Sequence, residues 1–325
     1  MKPLKSILLS AFALLLPFAA AAFEPRNVLC IAPADPGGGW DFTCRSIASA
    51  LSDIGVVKGR IRTQNMTGAS GAVAFAHVVG QQKGNANLLV AASTATTTRL
   101  AAGMFKGFSA DDVRWVAAMG ADYGVIGVSP TGRFKTLAEL VNALKADPAS
   151  VSFVGGSAVG GWDHLKVLML ADAAGVKDLS KIRYTNLGSG GPAMIEILGG
   201  RADVFAGDVS ETLSQVEAGK LKVLAILGDE RFTEGPLAGV PTAGELGYKV
   251  FGANWRGFYL APGITDEQYN FWVEAFRKLE QSDEFKKLRV QNGLARFWRG
   301  GKEMEEFVRE QIAYIERLSA QVKKQ

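Results

Sequence analysis

Residues 28–44 read Val28-Leu29-Cys30-Ile31-Ala32-Pro33-Ala34-Asp35-Pro36-Gly37-Gly38-Gly39-Trp40-Asp41-Phe42-Thr43-Cys44. The apolar run predicts a buried strand over 28–32, and the stretch from Pro33 to Gly39 predicts a loop. The pattern that follows predicts a helix over 40–54. A strand feeding a glycine-rich turn and then a helix is the unit from which doubly wound α/β sheets are built. A helix N-terminus leaves N–H groups unpaired and carries about half a positive charge. Glycines let the backbone come close to a ligand, so such a turn binds anions without a basic side chain.

The unit recurs along the chain. Strands are expected over 88–92, 151–154, 203–206 and 221–227. Two short strand-like runs are expected within 113–128, on either side of Asp122-Tyr123-Gly124. Helices are expected over 72–79, 137–146, 162–174, 193–198, 266–279 and 302–322. In the last of these Met304, Val308, Ile312, Ile315 and Val322 fall on one face. The strand over 88–92 opens into the hydroxyl-rich run Ser93-Thr94-Ala95-Thr96-Thr97-Thr98. This alternation predicts an α/β protein of two doubly wound domains with mostly parallel strands.

At 325 residues the chain exceeds what one core usually fills. No low-complexity linker divides it, so the chain is expected to cross between domains by strands. The expected division is a signal peptide over 1–22, domain 1 over 23–121 and 229–325, and domain 2 over 122–228. Lys2 and Lys5 precede an apolar stretch that ends in Ala20-Ala21-Ala22, the form of a secretory signal cleaved near Ala22. Its apolar core is shorter than the ~20 residues a membrane span needs. A retained anchor is the alternative. The expectation is thus a secreted, periplasmic protein.

A formal charge of +4, with no basic block, argues against a nucleic-acid partner. Cys30 and Cys44 are the only cysteines. In an oxidising compartment a strand–loop–helix unit brings them close enough for a bridge, with two buried thiols as the alternative.

The tetrapeptide Gly38-Gly39-Trp40-Asp41 is echoed at Gly160-Gly161-Trp162-Asp163, each between an expected strand and an expected helix. Two such loops facing one another would hold the two ends of a di- or tricarboxylate. The candidate ligand residues are Pro36, Gly37, Gly38, Gly39, Trp40 and Asp41 in the first loop. Ser157, Val159, Gly160 and Gly161 are those of the second. Hydroxyls of Ser93, Thr94 and Ser189, with Gly190 beside the last, add donors. Asp41 and Asp163 are read as orienting their loops, since a carboxylate aimed at an anion repels it. Asp208 is read as half helix cap and half ligand contact. The alternative is that these glycines only make tight turns and the aspartates only cap helices.

Motifs of the CxxC, HExxH, GxSxG and GxxxxGK[ST] types are missing from the sequence, and no metal or cofactor is expected. His164 follows Ser157 by seven residues, which leaves a Ser–His hydrolase as one alternative. An amino-acid receptor, with Asp208 pairing an ammonium group, is a second. A ligand sensor is a third, because capture and sensing share a fold.

Several segments together resemble the extracytoplasmic solute receptors of tripartite tricarboxylate transporters, particularly the citrate-binding members. They are the opening stretch from Cys30 to Cys44, then Asp111-Asp112-Val113-Arg114-Trp115 and Asp122-Tyr123-Gly124. Gly199-Gly200-Arg201-Ala202-Asp203, Val240-Pro241-Thr242-Ala243 and Arg256-Gly257-Phe258-Tyr259 follow in order. The resemblance implies a type II-like periplasmic binding protein that closes two domains on a carboxylate without cofactor. It also implies delivery to membrane permease subunits, and a monomeric receptor is expected. Where many relatives carry a glycine–threonine–serine–histidine run, this chain has Gly161-Trp162-Asp163-His164. Arg256 stands where more distant relatives have an aromatic residue, and its guanidinium would neutralise a further carboxylate by a bidentate bond.

Overall fold

A computed structural model describes residues 23–36, 39–188 and 190–322. The expected signal peptide over 1–22, and Gly37, Gly38 and Ser189, lie outside the described residues.

The first half runs β1 (Leu29–Ala32), α1 (Gly39–Phe42), α2 (Ser49–Asp53), β2 (Arg62–Asn65), α3 (Ala72–Gln81), β3 (Leu88–Ser93), α4 (Thr94–Ala101) and β4 (Arg114–Val128). A π-helical turn over Thr43–Ala48 joins α1 to α2, so the expected helix is present with a wider central turn. The second half runs α5 (Leu137–Ala146), β5 (Ser152–Gly155), α6 (Trp162–Ala173), β6 (Arg183–Asn186), α7 (Gly190–Leu198), β7 (Val204–Asp208), α8 (Leu213–Glu217) and β8 (Lys222–Leu227). The chain closes with β9 (Ala253–Leu260), α9 (Asp266–Glu280), α10 (Asp283–Gln291), β10 (Arg299–Gly300) and α11 (Lys302–Val322).

The strands form one continuous sheet in the order β2-β1-β3-β9-β4-β7-β5-β6, with β8 and β10 also on β4. Its two halves repeat one plan. Strand β1 lies between β2 and β3, all parallel, and β5 lies between β6 and β7, all parallel. The joining pairs β3–β9, β9–β4, β4–β7 and β4–β8 are antiparallel. The expectation of mostly parallel strands is therefore corrected to a mixed sheet, parallel within each half and antiparallel where the halves meet.

Strand β4 makes the crossing. Residues from Arg114 to Tyr123 pair with β9 in the first half, and residues from Gly124 to Val128 pair with β7 and β8 in the second. It is a single strand, not the two short runs the pattern suggested. Asp122 breaks the apolar pattern, but its carboxylate accepts the Ser210 hydroxyl (2.5 Å) and N–H (3.2 Å), so the strand continues through it. The hydroxyl run after β3, to which the sequence pattern assigned no element, is helical. Ser93 caps α4, and Thr97 donates to Gln311 on α11 (2.7 Å), so threonines that carry no apolar period are buried by side-chain bonding instead. The edge strands β2 and β6 gave no apolar signal because both are polar and largely open to solvent.

Helix α11 straps the two halves together. Met304, Val308 and Ile315 are buried, Ile312 is half-buried, and Gln311 also accepts the Trp255 indole N–H (3.0 Å). Arg317 near its end pairs with Asp172 on α6 (2.9 Å).

Cys30 on β1 and Cys44 in the π-turn form a disulfide, with Cα atoms 5.6 Å apart. It fixes the helix beside its strand and so sets the exit of the first glycine-rich loop. Replacing both cysteines by serine is expected to lower the unfolding free energy of the oxidised protein by about 3 kcal/mol. Guanidinium titration checks this, and reductant should bring wild type close to the variant.

Candidate functional site

The two echoed loops occupy equivalent places, β1–α1 in the first half and β5–α6 in the second. In the first, Gly39 begins the helix and Trp40 sends its indole N–H to Ser93 Oγ at the end of β3 (3.0 Å). Asp41 is buried and accepts from Arg45 Nε (2.9 Å) and Asn65 Nδ2 (2.8 Å), tying the loop to β2. Arg256 on β9 stands opposite Ser93 in the sheet. Its guanidinium lies so close to Gly39 that a Cβ there would sit 2.7 Å from Nη1, so a larger residue would have to push the arginine head aside. The Arg256 side chain is half-buried and makes no hydrogen bond or salt bridge among the described residues, though its charge acts on Asp122.

In the second loop Asp163 accepts the N–H groups of Gly156 and Ser157 (2.9 Å each). Ser157 Oγ in turn accepts the Asp163 N–H (2.8 Å). Gly160 donates to His164 Nδ1 (3.0 Å) and Gly161 to the Ala158 carbonyl (2.7 Å). The amides of both glycines are thus used inside the fold, and those of Ala158 and Val159 are the loop amides without an internal partner among the described residues. Ser157, Val159, Gly160 and Gly161 line a cavity of about 570 Å3 together with parts of α4 and α6.

The remaining candidates fall elsewhere. Thr94 is spent on the backbone of β9, donating to the Ala253 carbonyl (2.7 Å) and accepting from the Trp255 N–H (3.2 Å). Gly190 packs on Glu211, whose Oε1 would be 2.2 Å from a Cβ at that position. Glu211 accepts the Asp208 N–H (2.9 Å), and burial raises its pKa above the usual range. Pro36 is exposed at the edge of the first loop.

Two residues that carry the site's electrostatics were missed in the sequence. Lys166, one turn into α6, is fully buried; its ammonium reaches Asp208 Oδ1 (2.6 Å), the Gly207 carbonyl (2.6 Å) and Asp163 Oδ1 (2.8 Å). Burial pulls this lysine down, but Asp208 and Asp163 outweigh it and hold it above the ordinary lysine range. Asp122 sits on the crossing segment of β4, paired in register with Asn254, whose side chain donates to Asp208 (3.3 Å). Burial and then the Asp208 charge push its pKa up to about 7, against the pull of Ser210 and the Arg256 charge. A lysine at a helical core position reads as amphipathic surface, and an aspartate in a strand reads as a break; neither carries a local signal of its partners.

A chain of charges therefore runs from Arg256 in one half through Asp122 and Asp208 to Lys166, Asp163 and the second loop. Ser157 is left without a hydrogen-bonded base among the described residues. Ser157 and His164 share no hydrogen bond among the described residues, and burial lowers the imidazole to about 4, leaving it neutral with Nδ1 occupied as an acceptor.

Lys166→Met leaves two acids facing a buried apolar group and is expected to cost about 3–5 kcal/mol in denaturant unfolding. Asp122 titrates with the opposite sign to a salt-bridged acid. Its folded value of about 7 lies above the ordinary aspartate value of 3.8, so its contribution to stability is complete below about pH 4 and is lost as pH rises through 7. Asp122→Asn should flatten that fall, which unfolding titrations at pH 4, 5.5 and 7.5 would reveal.

The fold matches solved solute-binding proteins. The TctC solute-binding protein of Polaromonas superposes with a TM-score of 0.79 at 22% identity, covering 90% of this chain and 97% of that one. MatC of Rhodopseudomonas palustris, solved with bound malate, gives 0.64 at 20% identity, covering 91% and 99%. Protein BugT of Bordetella pertussis is 29% identical over 255 residues, 77% of this chain and 74% of BugT. A sequence model described as "Tripartite tricarboxylate transporter family receptor" matches residues 50–323. With that match spanning most of the chain, over a sheet of this plan, the protein belongs to the periplasmic solute-binding receptors of the tripartite tricarboxylate transporter family and is not an enzyme.

Proposed function

We propose that the protein captures a di- or tricarboxylate between the two sheet halves and delivers it to membrane permease subunits. The halves would act as lobes with the boundaries 23–121 plus 229–325 and 122–228, after removal of a signal peptide near Ala22, and the receptor would work as a monomer. The observation that carries this reading is Arg256: a half-buried guanidinium, close against Gly39 of the first loop, with no salt bridge among the described residues. Asp122, the acid on which its charge acts, has its pKa pushed up to about 7 and so balances it only in part, which leaves the guanidinium open to an arriving anion. Main-chain groups of the first loop, from Pro36 through Gly37 and Gly38 to Asp41, would share that anion, and the Ala158 and Val159 amides would offer a second contact across the cleft. The bound malate of MatC supports a small polyacid, and citrate is the acid the family resemblance favours.

The amino-acid alternative loses its main support. Asp208, which would have paired an ammonium group of the ligand, already holds the ammonium of Lys166 at 2.6 Å.

In thermal unfolding, citrate or malate at 100 times its dissociation constant should stabilise the protein by about 2.7 kcal/mol. Glutamate at equal concentration should not displace either acid. Arg256→Met should weaken binding at least tenfold with little change in the melting temperature of the free protein. A folded sample indifferent to every di- and tricarboxylate tested would end this reading.

A further inference from the structure

The 570 Å3 cavity has two walls of different origin. Helix α4 and the turn after it contribute Thr98, Arg99 and Met104, whereas the β5–α6 loop and α6 contribute Ser157, Val159 and Trp162. Three of these residues hold a polar atom that is shielded from solvent and has no hydrogen-bond partner: Thr98 Oγ1, Arg99 Nη1 and Trp162 Nε1. Only one other side-chain atom among the described residues shares that condition, Ser52 Oγ. Unpaired buried polar atoms are rare and costly, so three in the walls of one cavity call for a partner.

The chemistry of that partner follows from the atoms. A guanidinium, an indole N–H and a hydroxyl can all donate, and a carboxylate only accepts. Arg99 is half-buried, with its guanidinium 5.3 Å from the centre of the Trp40 ring. Burial lowers its pKa, and no acid beside it opposes that shift. The two echoed tryptophans differ here. Trp40 gives its N–H to Ser93 at the end of β3, whereas Asp208, at the end of the equivalent strand β7, is held by Lys166 and leaves Trp162 unmatched.

We infer that Arg99, with the Trp162 N–H and the Thr98 hydroxyl, forms an anion subsite that takes one carboxylate of the bound acid. Arg99 is then the residue that selects polycarboxylates over monocarboxylates. The inference rests on the carboxylate reading above and adds a selectivity element to it. Val159 and Met104, on opposite walls, are 63% and 50% exposed. Drawing the walls together over a ligand would bury both, and rotation of the Thr98, Arg99 and Trp162 side chains, whose donors are shielded in this structure, would turn those donors onto it.

The test is calorimetric titration of wild type, Arg99→Met, Arg99→Lys and Trp162→Phe. The probes are citrate, malate and 2-hydroxybutyrate, in which a methyl replaces one carboxylate of malate. Wild type should prefer the polyacids. Arg99→Met should lose at least tenfold on whichever polyacid wild type binds more tightly, with little change for 2-hydroxybutyrate, so that the preference collapses. Arg99→Lys should recover part of it, and Trp162→Phe should lose about threefold on the polyacid alone. Folding is read by circular dichroism; if Arg99→Met does not fold, Arg99→Lys and Trp162→Phe decide the matter. Folded variants that keep wild-type affinity and preference would overturn the subsite and leave the carboxylate reading standing. Wild type that binds none of the acids would overturn both.

Discussion

The ammonium of Lys166 is the point on which the second half and its loop depend. It lies fully buried among Asp163 at the start of α6, Asp208 at the end of β7 and the carbonyl of Gly207. Burying one charge costs several kcal/mol, and two carboxylates this close would repel without a cation between them. The three groups are tolerable only together. Their mutual neutralisation fixes the end of β7, the first turn of α6 and, through Asp163, the N–H groups of Gly156 and Ser157.

That triad reaches the rest of the molecule through β4. Asp122 lies where β4 passes from one half of the sheet to the other, within the electrostatic reach of both Asp208 and Arg256. Asn254, opposite it on β9, donates to Asp208. The strand that joins the halves thus carries the polar groups that connect their two loops. An anion arriving beside Arg256 would meet an Asp122 whose raised pKa makes it easier to neutralise, a better neighbour for a carboxylate than an ordinary aspartate.

The two loops are alike in sequence and in place but not in wiring. The first has its tryptophan N–H bonded and its arginine, Arg256, without a salt bridge among the described residues. The second has its glycine amides bonded inward and its tryptophan N–H unbonded. A repeated strand–loop–helix plan therefore produces two unequal faces.

By itself the sequence determined what depends on local pattern. Buried strands, amphipathic helices such as Leu137–Ala146 and Lys302–Val322, glycine-rich turns at helix starts and the nearness of Cys30 to Cys44 all follow from periodicity and short spacing. The family resemblance was equally legible, because ordered motifs survive in the chain itself. Only the tertiary structure decided the continuity of β4 through Asp122, the mixed sheet, the helical state of the Thr94–Ala101 run and the burial of Lys166. Each of these rests on a partner distant in the chain: Ser210 for Asp122, Gln311 for Thr97, Asp208 for Lys166. A polar residue's local context argues for solvent, and only a remote side chain of the right charge or hydrogen-bonding character can reverse that preference, so no window of sequence around it could have revealed the outcome.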